Sequence, residues 1–198
     1  MMKRFFRRKS KPTITIVSGL PRSGTSMTMK MLDAGGIPPL TDHIRTADDD
    51  NPKGYYEYER AKKLREGDTE WIPEAEGKVV KVIGALLMHL PASYQYRVLF
   101  MRREMEEILA SQARMLENRS EENKVDNETM AALFAKHLKQ IEDWMNSQPN
   151  LKYIDVDYNL MLSNPRPQIR KINQFLGGDL NEAAMLEVID PQLYRQRK

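Results

Sequence analysis

Four short runs of β-branched and apolar residues punctuate an otherwise polar chain: Thr13-Ile14-Thr15-Ile16-Val17, then residues 78–83, 97–101 and 152–156. Runs of this length, without helical spacing, predict buried strands. Between them the apolar positions recur every three or four residues. Met27, Met31 and Leu32 mark one helix. Residues 104–116 mark another, with Met105, Ile108, Leu109, Met115 and Leu116 on one face and Gln112 as its polar exception. Glu104, Glu106 and Glu107 crowd its first turn, where the helix dipole favours anions. Residues 127–145 predict a long helix whose stripe of Met130, Leu133, Phe134, Leu138, Ile141 and Met145 reads as core. Asn164-Pro165 opens a further helix carrying Ile169, Ile172, Phe175 and Leu176, which stops at Gly177-Gly178. Strands alternating with helices predict an α/β fold in three layers, a central parallel sheet with helices on both faces. Ligands in such folds bind beyond the carboxyl ends of the strands. There is no internal repeat.

Two stretches have no clean period. Residues 117–126 are polar and read as a mobile loop. Residues 41–77 hold Asp42, His43, Arg45, the triple aspartate 48–50 and then Asn51-Pro52-Lys53-Gly54-Tyr55-Tyr56-Glu57. A long irregular stretch inside a compact domain is usually functional or disordered, and here it is expected to be a substrate-binding segment or lid. Tyr55, Tyr56, Tyr58 and Trp71 would either pack that substrate or anchor the segment to the core. The triple aspartate reads as a solvated turn rather than a metal site.

Composition narrows the picture. A chain of 198 residues accommodates one domain with a real core. The expected division is a basic, disordered tail over 1–12 and a single domain over 13–198. The absence of cysteine excludes disulfides and thiolate metal sites. A net charge of +3 does not call for a nucleic-acid partner. No apolar run approaches the ~20 residues of a membrane span, and the basic N-terminus lacks the apolar stretch of a secretory signal. The alternative to a disordered tail is weak contact with an anionic membrane surface or with nucleic acid; a cytoplasmic enzyme is the simpler expectation.

The chemistry is concentrated at Ser18-Gly-Leu-Pro-Arg-Ser-Gly-Thr-Ser26, between the first strand and the first helix. Strand, glycine-rich turn and helix is the geometry that cradles phosphate, through inward backbone N–H groups and the positive end of the helix dipole. Gly19, Gly24 and Ser26 have the spacing of the triphosphate loop G-x-x-x-x-G-K-[ST], but Thr25 occupies the lysine position. That loss argues against triphosphate chemistry. A cation lies inside the loop instead, at Arg22.

The resulting pattern, P-[KR]-S-G-T-[ST], resembles the 5′-phosphosulfate loop of sulfotransferases that use 3′-phosphoadenosine 5′-phosphosulfate (PAPS). Two further segments carry the resemblance. Arg103 at a strand end and Ser111 eight residues later match the spacing of the family's 3′-phosphate ligands, although Glu104-Met105 replaces the usual Asn/Asp-Pro; Arg102 is the competing ligand. The strand–turn–Asn-Pro–helix ending in Phe175-Leu176-Gly177 is similar to the family's closing segment.

The resemblance implies PAPS as donor, no required metal, and a small-molecule, carbohydrate or peptide acceptor. It implies that Pro21, Arg22, Ser23, Gly24, Thr25 and Ser26 bind the 5′-phosphate end, with Arg22 also stabilising the leaving oxygen, and that Arg103 and Ser111 hold the 3′-phosphate. The acceptor hydroxyl needs a general base. The strand-end His of the cytosolic branch is missing from Lys81-Val82-Ile83, and the spacing of the tyrosylprotein branch lands on Asp42 or His43. His89 and Glu57 are the outside candidates. A kinase with an atypical loop and an inactive nucleotide-binding module are the competing readings.

Overall fold

The computed structural model describes residues 12–42, 44, 54–118 and 125–189. Its centre is a four-stranded, all-parallel sheet formed by β1 (Thr13–Gly19), β2 (Val79–Lys81), β3 (Gln95–Arg102) and β4 (Leu151–Asp157), in the order β2-β1-β3-β4. Parallel strands need crossovers, and helices supply them on both faces. The expected three-layer α/β architecture is thus the observed one.

Alternation along the strands feeds two cores. Ile14, Ile16, Val80, Val98 and Phe100 point to one face, where Trp71, Leu87, Ile141 and Met145 meet them. Val17, Val79, Leu99, Met101 and Val156 point to the other, against Met29, Met31, Leu32, Ile169 and Ile172. Strands buried on both sides read as nearly continuous apolar runs, which explains why β1 and β3 stand out in the sequence.

The helices are α1 (Thr25–Ala34), the four-residue α2 (Glu59–Lys62), α3 (Met105–Asn118), α4 (Asn127–Ser147), α5 (Tyr158–Ser163), α6 (Pro165–Leu176) and α7 (Glu182–Val188). Local chemistry sets their ends. The Asp126 side chain accepts from Thr129 N at the start of α4, and Asp157 accepts from Leu160 N at the start of α5. Pro165 occupies the first turn of α6, which ends at Gly177 with φ +133°. Arg97 of β3 donates to the terminal Leu176 carbonyl at 2.7 Å, tying α6 to the sheet.

Two differences from expectation bear on the site. β2 ends at Lys81 rather than at 83, because the chain turns into a 3₁₀ helix, Gly84–His89, folded over the end of β1. A Cβ at Gly84 would lie 2.9 Å from Ile141 Cδ1 and 3.2 Å from the Gly19 carbonyl oxygen, so only glycine lets the two backbones approach this closely. The irregular stretch 41–77 contains α2 and two 3₁₀ turns, and it is anchored by the fully buried Trp71 and by Tyr55, which is 5% exposed. Tyr58 meets Trp71 edge-on at 5.6 Å.

Phe100 is fully buried at the centre of one core. Phe100→Ala is expected to cost about 3–5 kcal/mol, read as a lower urea midpoint with an unchanged slope.

Candidate active site

Strand order places the site. β1 has neighbours on both sides, so the connections leaving β1 and β3 diverge at their carboxyl ends and open a crevice there. The register pairs Gly19 with Met101 and Val17 with Lys81. The glycine turn of residues 19–24 is therefore flanked by Arg102 and Arg103 on one side and by Lys81 on the other.

The turn is internally braced. Ser23 is fully buried, and its hydroxyl donates to the Leu20 carbonyl at 2.7 Å. Its side chain thus shapes the loop from within. Gly24 (φ +96°) is the N-cap residue of α1, which has no side-chain cap and no acidic residue in its first turn. An uncapped, acid-free helix start suits an anion. Pro21 is exposed, while Thr25 and Ser26 are half-buried at the head of the helix.

Arg22 takes a left-handed φ of +67°, unusual for a residue with a side chain. Its Nε donates to Ser111 Oγ on α3 at 2.9 Å. The structure therefore brings two sequence-predicted residues together across 89 positions.

Arg103 lies beneath them with its side chain only 7% exposed. Its Nε donates to Glu107 Oε2 at 2.9 Å and its Nη1 to the Arg22 carbonyl at 2.8 Å. Its guanidinium stacks 4.5 Å from the Tyr158 ring centroid. Glu107 accepts in addition from Asn159 Nδ2 at 2.9 Å. Burial pushes the Tyr158 hydroxyl pKa up, with Arg103 and Arg22 pulling in the opposite direction. Arg102 is engaged elsewhere, pairing with Asp155 at 2.8 Å and with Glu142. Glu104 is exposed, which keeps its charge in solvent.

On the other side, Lys81 Nζ donates to Ser26 Oγ at 3.2 Å and to the Tyr55 carbonyl at 3.1 Å. Glu57 Oε1 lies 3.7 Å from the same ammonium, and Glu57 Oε2 lies 2.8 Å from Lys62. Burial opposes the charge on Lys62, but Glu57 and Glu59 outweigh it and raise its pKa. Lys81 was legible only as the polar end of β2. The strand-end rule is the signal that points to it.

The predicted bases fall out differently. The Asp42 carboxylate accepts from Glu59 N at 2.6 Å and from Ile44 N at 3.1 Å, so it serves the backbone at the start of α2. His43 lies outside the described residues. His89 is exposed at the end of its 3₁₀ helix. Glu57, by contrast, stands beside the loop.

A glycine turn at the crossover of a parallel sheet, flanked by cations and a carboxylate, is the candidate site of this α/β protein. The sulfotransferase-domain family model matches residues 12–196, and the chain belongs to that family, which makes it a transferase by class. No curated protein sequence matches it. Among solved structures, it is similar to the sulfotransferase domain of the Synechococcus PCC 7002 olefin synthase (17% identity, TM-score 0.58, covering 99% of this chain and 88% of that one). It is also similar to the sulfotransferase STF1 of Mycobacterium tuberculosis H37Rv (16% identity, TM-score 0.59, covering 89% and 71%) and to STF9 of Mycobacterium avium (13% identity, TM-score 0.57, covering 96% and 70%). These likenesses concern the fold. Among the described residues no helix is long and apolar enough to cross a membrane.

A Cβ on Gly24 would overlap the Tyr158 ring, whereas one on Gly67 (φ +88°) meets nothing within 4 Å. Both positions carry the left-handed backbone cost of about 1–2 kcal/mol. Gly24→Ala is therefore expected to lower the melting temperature clearly more than Gly67→Ala, the excess reporting the packing of the loop on Tyr158.

Proposed function

We propose that this protein transfers a sulfuryl group from PAPS to an acceptor hydroxyl. The observation that carries the reading is Lys81 Nζ, 3.2 Å from Ser26 Oγ at the head of α1. The cation missing from the Thr25 position of a triphosphate loop reaches the loop's last residue from the adjacent strand.

The residues present suit the donor. The uncapped start of α1, the loop backbone of residues 21–26 and the Ser26 hydroxyl would hold its 5′-phosphate. PAPS, when bound, supplies the sulfuryl group, whose bond to the acceptor oxygen forms as its bond to the 5′-phosphate oxygen breaks. Lys81 would offset the charge left on that oxygen. A preorganised cation in a dry site is worth far more than one in water. Glu57 would take the acceptor proton: it lies against Lys81, on the segment that borders the loop, and is 14% exposed in its side chain. Lys62 and Lys81 together hold that carboxylate in place. Asp42 positions the same segment from behind, through its bond to Glu59 N.

Calorimetric titration with 3′,5′-adenosine bisphosphate, set against ATP with Mg²⁺, tests the donor class. Preference for the bisphosphate supports the reading; preference for ATP replaces it with a kinase. Radiolabelled PAPS offered with phenol, saccharide and tyrosine-peptide acceptors then tests transfer; tight binding without turnover on any of them favours an inactive module. Lys81→Met is expected to lower turnover roughly 10²–10³-fold. Glu57→Gln is expected to lower it roughly 10²–10⁴-fold with bisphosphate affinity unchanged. An active Glu57→Gln enzyme with an unaltered pH profile would remove Glu57 from the base role.

A further inference from the structure

The chain that continues β2 past Lys81 has no side chain able to hydrogen-bond. It runs Val82-Ile83-Gly84-Ala85-Leu86-Leu87-Met88, seven residues without a polar side chain. They lie against the start of the glycine turn. Val82 N donates to the Val17 carbonyl at 3.1 Å, and a Cβ at Gly84 would lie 3.2 Å from the Gly19 carbonyl oxygen. Val82, Gly84 and Leu87 are buried, Ala85 and Leu86 half-buried, and Ile83 and Met88 exposed. The backbone of Ile83 is extended (φ −61°, ψ 139°), so strand alternation carries on through it and sets Val79, Lys81 and Ile83 on one face. Val79 is core, Lys81 reaches Ser26, and Ile83 follows roughly 7 Å further along the strand. Single exposed apolar residues are ordinary on a protein surface. Ile83 differs by its place: it is 44% exposed next to the ammonium and carboxylate of the proposed site, within a wall that offers no polar side chain. A second exposed isoleucine, Ile44, lies on the Glu57 side. Its N–H donates to Asp42, whose other carboxylate oxygen accepts from Glu59 N, and Thr41 Oγ1 donates to the Glu57 carbonyl at 2.8 Å.

Resting on the sulfuryl-transfer reading above, we propose that Ile83 is a specificity-determining residue and that the acceptor is a small alcohol or phenol with an apolar body next to its hydroxyl. The hydroxyl meets Glu57, which takes its proton as the oxygen bonds to the sulfuryl sulfur, and the carbon body lies on Ile83. Covering that side chain removes apolar surface from water on both partners. The same wall selects against a saccharide. A saccharide turns several hydroxyls toward any surface it binds, and each one taken out of water without a partner is left short of a hydrogen bond. Residues 82–88 offer those hydroxyls no side-chain partner. One strand end thus serves the reacting oxygen with Lys81 and sorts acceptors with Ile83.

The test pairs transfer with binding on the full chain. Wild-type protein given radiolabelled PAPS is expected to use 2-naphthol with a kcat/KM about tenfold or more above that for N-acetylglucosamine. Ile83→Asn is expected to raise the KM for 2-naphthol roughly five- to tenfold and to leave kcat and the affinity for 3′,5′-adenosine bisphosphate standing. Ile83→Val, which keeps a branched apolar side chain, is expected to shift that KM by less than about fourfold. Leu133→Asn, at a comparably exposed apolar position on α4, is the control and is expected to shift nothing. Calorimetric titration of 2-naphthol into the protein, with and without the bisphosphate, reads the same contact without turnover, and Ile83→Asn is expected to weaken binding by the same factor. Preference for the saccharide or for a tyrosine peptide over 2-naphthol, or naphthol binding indifferent to Ile83→Asn, overturns the assignment. Preference for ATP, or transfer to no acceptor at all, overturns the sulfuryl-transfer reading instead. The naphthol titration still decides the role of Ile83 in that event, which keeps the two failures apart.

Discussion

The site depends on one buried ion pair. Arg103 and Glu107 are both 7% exposed in their side chains, and each reaches out of the pair to a different element. Arg103 holds the loop through the Arg22 carbonyl, and Glu107 holds the start of α5 through Asn159. Such a pair contributes little net stability beside an apolar replacement. Breaking it is another matter: stranding one buried charge typically costs about 3–5 kcal/mol. Its value here is geometric, since it joins β3, the loop, α3 and α5 at a single point. The loop's glycines permit the turn, and the ion pair decides where the turn points.

The opposite wall is built by a different device. Residues 54–58 approach the head of α1 with their backbone, and the Tyr55 carbonyl accepts from Lys81 and, at 3.4 Å, from Ser26. Tyr55 and Trp71 fill the core rather than line an opening. The aromatic residues of this stretch thus keep Glu57 in register with Lys81. A segment that looks irregular by its periodicity is rigidly tied where it matters, by its backbone and two buried rings.

The sheet, the main helices and the loop were legible because their signals are local. Strand runs, the Gly19–Gly24 spacing, Asn164-Pro165 and Gly177 each announce themselves within a few residues. Boundaries shifted where tertiary packing intervened, as at β2, where Gly84 folds over Gly19. The short helices α5 and α7 carry too few turns to show a period. Side-chain pairings across the crevice were not legible. Lys81 meets Ser26 across 55 positions, and nothing near either residue encodes the other. Asp42 is a further case: the spacing that points to it does not encode the two backbone N–H groups its oxygens accept from.

The separation between Arg103 and Arg22 has a consequence for biogenesis. The two residues are 81 positions apart, and β1 pairs in parallel with β3 along its whole length, Thr13 opposite Gln95. Closing so long a loop must precede the contacts that reward it. As the chain leaves the ribosome, β1 has only the short β2 as a permanent neighbour until the segment near residue 100 emerges, and the glycine turn lacks its hold from Arg103. The glycine turn, encoded early, takes its final shape late. Until then the apolar stretch Ile14-Thr15-Ile16-Val17 keeps the edge that β3 will cover open to the wrong partners.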